Sequence, residues 1–184
     1  MTVTEEQFRG LLDAHGVLRP GALPSPDRSA AYTVFVQRPD ARLDVRALQQ
    51  HATRFFGAKL GLTVDKSYGP RVPDTDVARF VLATDDGTAN GTRLAFARPA
   101  GEPDHAAAEA AERTQGTSGM SLLAQRCPTV WLVLREADED RVALTLAAIL
   151  ASSLLGPILS PDATELFGVR TARLKLEGRR APYR

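Results

Sequence analysis

From Val142 to Leu159 the chain runs for eighteen residues without a charge, halts at Gly156-Pro157 and halts again at Ser160-Pro161. A helix over 139–155 would be about 25 Å long at about 1.5 Å per residue, short of the roughly 30 Å hydrocarbon core of a bilayer. Asp138, Glu139 and Asp140 stand just before it, where the partial positive charge of a helix N-terminus favours carboxylates. The run therefore predicts a buried helix and no membrane span. Ala143, Ala147 and Ala151 recur every four residues and leave a flat strip. Such a strip admits close approach, either by the chain's own sheet or by a second copy in a dimer seam. The Gly156-Pro157 stop predicts a rigid turn, with Ile158 and Leu159 tucked into the core.

A helix of this kind needs a core around it, and the composition supplies one. The 184 residues are 43% hydrophobic and 24% charged, which suits a single globular domain. The net charge of +1 gives no global field to recruit nucleic acid or an anionic membrane. Cys127 is the one cysteine, so no intrachain disulfide can form. The opening MTVTEEQFRG places Glu5 and Glu6 where a signal peptide would carry positive charge, and the expectation is a cytoplasmic protein. Lysine occurs only at positions 59, 66 and 175 against 20 arginines, a skew associated with GC-rich bacterial genomes.

Along the chain, Thr4 and Gln7 make a capping box ahead of Phe8, Leu11 and Leu12, and Gly16 stands where a helix would end. A Pro/Gly/Ser-rich linker follows, so residues 1–30 read as an appended helix and linker, 31–176 as one α+β domain and 177–184 as a basic tail. Tyr32 to Gln37 reads as a central strand. Asp44 caps a helix with Val45, Leu48, Ala52 and Phe55 as its apolar stripe, ending at Gly57. A short strand is expected at Leu62–Val64, and Val77–Thr84 and Thr92–Arg98 are strands joined by the DDGTANG turn. Asp104 is expected to cap an Ala-rich helix through Arg113, with a second short helix at Met120–Gln125. TVWLVLR, 129–135, reads as an interior strand with two apolar faces. The order strand, helix, strand, strand, helix, strand predicts a mostly antiparallel sheet of ferredoxin-like (split βαβ) order, extended by the 139–155 helix and by an alternating strand at 169–176. That last strand is expected beside 129–135.

Candidate chemistry is sparse. A nucleophilic site needs a base beside its nucleophile. No sequence spacing ties Cys127 to His15, His51 or His105, and the expected role of Cys127 is packing. No paired Cys or His motif suggests a metal, and no cofactor is implied. The segment TQGTSGMS, 114–121, is the most suggestive polar stretch: Gly116, Thr117, Ser118 and Gly119 precede a helix N-terminus, which can hold an anion. It lacks the Lys-Ser/Thr ending of a Walker loop and the spacing of a nucleophile elbow, and a helix break with Ser118 as a plain N-cap is the preferred reading, since it needs no ligand. GTRLAFAR, 91–98, has only Phe96 where RNA-binding sheets carry stacked aromatics, so no specific nucleic acid is expected.

Charge is uneven along the chain. Segment 165–184 carries a net +4, including Arg173, Lys175, Arg179 and Arg180, and segment 101–140 a net −5. Together with the alanine strip, those cations form the candidate interaction surface for a protein partner or a homo-oligomer. The sequence thus favours a non-catalytic interaction module of the adaptor, immunity-type or scaffold-associated kind. A small-molecule enzyme or sensor using an anionic ligand at 114–121 is the alternative.

Overall fold

The computed structural model describes Ala14 and residues 26–39, 42–65, 76–116 and 118–178. The expected N-terminal helix, most of the linker, His15, Thr117, Arg179, Arg180 and the rest of the basic tail lie outside the described residues. Pro26 to Ala30 end in a short 3-10 turn capped by Asp27.

Among the described residues seven strands and five helices follow in the order β1 (Ala31–Val36), α1 (Val45–Phe56), β2 (Ala58–Asp65), β3 (Asp76–Thr84), β4 (Asn90–Pro99), α2 (Glu102–Gln115), α3 (Met120–Gln125), β5 (Thr129–Leu134), α4 (Arg141–Leu154), β6 (Ile158–Leu159), β7 (Leu166–Phe167) and α5 (Val169–Leu176). One antiparallel sheet contains them all, ordered β2-β3-β4-β5-β1-β6-β7. The α+β class and antiparallel sheet are those expected. The strand order departs from a split βαβ arrangement: β1 and β3 are separated by both β4 and β5, where one intervening strand would be required.

A second departure lies at the end of the chain. Residues 169–176 are helical, not the alternating strand the sequence suggested. Val169, Ala172 and Leu176, three and four residues apart, turn inward, and Arg170 and Arg173 stay exposed. The segment VRTARLKL is short enough to satisfy a period of two and a period of 3.6 together. Its Ala, Arg, Leu and Lys are strong helix formers, and packing on α4 decides the outcome. β5 is flanked by β4, from Ala95↔Val133 to Pro99↔Thr129, and by β1, paired from Ala31↔Leu134 to Val36↔Thr129.

Each strand's alternation feeds two cores. Val34, Val36, Trp131 and Val133 face α4, which lies across the sheet between α1 and α5. Phe35 and Val130 face the other way, under α2 and α3. This is why TVWLVLR is apolar on both sides. From Val142 to Ala151 every residue of α4 is buried, as expected of a helix enclosed by sheet and helices. Asp140 caps it, its Oδ1 accepting from Ala143 N at 2.9 Å and its Oδ2 from Arg93 Nε at 2.7 Å. No helix among the described residues is long and apolar enough to cross a membrane.

Candidate functional site

Of the residues singled out for anion binding, Gly116, Ser118 and Gly119 lie in the turn between α2 and α3. In the 116–121 turn, Gly116 and Gly119 adopt positive φ (99° and 81°), which aims the backbone N–H groups of the α3 first turn back at α2. The carboxylate of Glu112, on the last turns of α2, fills the place a phosphate would take. Its Oε1 accepts from Ser118 N (2.9 Å), Ser118 Oγ (2.5 Å) and Met120 N (2.8 Å). Its Oε2 accepts from Ser121 N at 3.2 Å and from the Ser121 hydroxyl. Burial opposes the charge, but the hydrogen bonds from the two serines and Met120 outweigh it and hold Glu112 down at about 2. Gly119, not Ser118, is the N-cap residue of α3, and the capping group is supplied by another helix. A long-range cap of this kind leaves no local motif.

Similar reassignments hold elsewhere. Asp104 is the third residue of α2 and not its N-cap. Its carboxylate reaches back to Gly101 N at 2.9 Å and forks onto Arg98 at 2.6 and 2.7 Å. Cys127 is 1% exposed. Its Sγ–H donates to Leu123 O at 3.3 Å, and burial pushes the thiol up to about 11. The fold does bring His105 close, yet its Nε2 lies 3.4 Å from the Cys127 carbonyl oxygen and its ring stacks on Phe35. The arrangement is a packed thiol beside a packed imidazole. Ala143, Ala147 and Ala151 are all buried in the main core of their own chain. Among the described residues no cluster of three or more His, Cys, Asp and Glu side chains is placed to hold a metal.

Among the described residues a cleft opens between α1, α4 and α5. The α1 stripe expected from the sequence is only half inside: Leu48 and Ala52 are buried, whereas Phe55 is 37% exposed. Asp44 starts α1 and Gly57, at φ 54°, ends it. Those caps fix the helix so that Phe55 looks across at Val169, Arg170, Arg173 and Leu174 of α5. The groove so formed has a volume of about 350 Å³. A second hollow of about 220 Å³ adjoins it, sharing Phe55 and Arg173 and running to Arg141 and Leu176.

The Phe55 ring is held from two sides. The Arg54 guanidinium lies 5.3 Å from its centroid and the His51 ring 5.4 Å. His51 Nδ1 is in turn 2.7 Å from the Ser152 hydroxyl of α4. The ring forms an aromatic wall of the groove. Around it stand the guanidinium groups of Arg54, Arg170 and Arg173 and the carboxylate of Glu177. Of the cations expected at an interaction surface, Arg173 lines the groove, and Lys175 instead pairs with Glu165 and lies over the Phe167 ring at 5.3 Å. Sequence reasoning missed Phe55 and Arg170 as groove residues. It had assigned the first to the core stripe and the second to a strand.

The sequence matches no family model, and it has no match among curated proteins or solved structures at the same standard.

Proposed function

We propose that this chain is a non-catalytic interaction module that engages a partner protein through the cleft between α1 and α5. The observation that carries the reading is Phe55: a large aromatic side chain, left half outside the core, clamped by Arg54 and His51, and facing apolar and arginine side chains across a groove. Aromatic and arginine side chains dominate binding energy at protein interfaces because they bring large area and directional donors together. The two features that could have supported chemistry already have structural roles. The α3 turn is capped by Glu112 and the Cys127 thiol is buried.

A photo-crosslinking amino acid placed at Phe55, and separately at the exposed Leu122 of α3 as a control, tests this in the native cell. The module reading requires one discrete protein adduct from position 55, absent from position 122, and lost when Leu174 is changed to Glu. Equal or absent crosslinking at the two positions rejects it.

A further inference from the structure

Resting on that interface reading, we infer that the occupant of the α1–α5 groove is a partner-protein segment in which a carboxylate side chain stands beside a large apolar one. Complementarity within a small volume selects such an occupant. About 350 Å³ is near the lower end of the roughly 300–1,000 Å³ typical of ligand sites, enough for one large side chain and the group next to it. Its apolar walls are Phe55, Val169 and Leu174; Arg170 and Arg173 line it beside the carboxylate of Glu177, and Arg54 stands over the Phe55 ring. Guanidinium groups offer planar forks of N–H donors that match carboxylates, and all three rim cations are arginines.

Neither half of the groove suffices alone. Exposed ion pairs contribute little in water, so a free small anion gains little at this rim. A purely apolar segment would fill the wall and leave three guanidinium groups to lose part of their hydration beside the lining carboxylate of Glu177. A peptide that seats Leu or Phe against Phe55 excludes water from the neighbouring arginine–carboxylate pair and strengthens it. A nucleic acid strand fits less well, because one aromatic ring and three cations make neither a stacking platform nor a continuous phosphate track.

The test begins with a random dodecapeptide library displayed on phage and selected on the full chain. Peptides with Asp or Glu next to Leu, Phe or Trp should be enriched. A fluorescein-labelled copy of the leading sequence then serves as the probe, alongside its counterpart with every Asp and Glu replaced by Asn and Gln. The amide counterpart should bind at least tenfold more weakly, and so should the acidic probe to the Arg170→Gln/Arg173→Gln variant with an unchanged melting temperature. Raising salt from 50 to 200 mM should also weaken binding. Enrichment of peptides without acids, equal binding of the amide counterpart, or no enrichment at all overturns the inference. So does displacement of the probe by inorganic phosphate binding with comparable affinity, or the finding that the Phe55 adduct is a second copy of this chain. If crosslinking at Phe55 captures a partner whose contacting segment lacks acids, the acidic reading falls and the module reading stands; if crosslinking fails, both fall.

Discussion

A β-carbon built on Gly156 would sit 1.8 Å from the carbonyl oxygen of Phe35. The close approach arises because the chain leaving α4 must turn at once into β6, which pairs with β1 through Thr33↔Leu159 and Val34↔Ile158. Phe35 N donates to Pro157 O at 3.0 Å in the same turn. The clash is with backbone in a central strand, so no side-chain rotation relieves it. Gly156→Ala should therefore cost about 3 kcal/mol or more, at the upper end of overpacking effects. The residue before it behaves oppositely. Leu155 is 65% exposed and holds a left-handed backbone, φ 58°, that strains a side chain. Leu155→Gly should stabilise the fold by about 0.5–1 kcal/mol, the relief of strain exceeding glycine's extra unfolded-state entropy. Denaturant midpoints of the two variants check both signs.

Glu112 gives the fold an acid-sensitive joint. Its carboxyl is held at about 2 against an ordinary value of 4.5, so its stabilising hydrogen bonds are fully present above pH 4.5 and are lost as pH falls through about 2. Glu112→Gln should cost about 2 kcal/mol at pH 7, since an amide cannot replace a carboxylate toward five donors. The gap between wild type and variant should close between pH 4.5 and 2. Unfolding free energies of both proteins over pH 2–7 measure it, and a gap that stays constant would contradict the capping account.

These two sites also show where sequence reasoning works. Several local signals read true: Asp44 and Gly57 bracket α1, DDGTANG turns β3 into β4, and Gly156-Pro157 ends α4, although Asp104 falls three residues past the N-cap of α2. Where the deciding contact is remote they do not. Glu112 caps a helix that begins eight residues later, and VRTARLKL becomes helical because α4 offers it a surface. Phe55 has the spacing of a core residue, yet the helix rotates it toward the groove because Leu48 and Ala52 already fill the contact with the sheet. Periodicity names a stripe; it does not give the width of that stripe which the tertiary fold will cover.

Cys127 should behave as a buried hydrophobe. With the thiol pushed up to about 11 from a reference of 9.0, the thiolate fraction at pH 8 falls about a hundredfold, and burial of the sulfur slows access further. Alkylation of the native protein at pH 8 should therefore run at least a hundredfold slower than in denaturant. Labelling at the unfolded rate under native conditions would restore Cys127 as a candidate nucleophile beside His105.

Ala147 decides between the two uses of the small-residue strip. It is fully buried, in a helix whose neighbours β1, α1 and α5 all come from the same chain. Leucine there adds volume into a packed interior, and overpacking of this kind costs about 1–3 kcal/mol. The loss of stability from Ala147→Leu should be the same at micromolar and at hundred-micromolar protein, with the native mass unchanged. A dimer seam would behave differently: the variant would keep its monomer fold, dissociate, and melt at a temperature that rises with concentration. Denaturation at the two concentrations, paired with native mass measurement, separates these outcomes, and a substitution without effect would mean that α4 does not lie against the sheet as described.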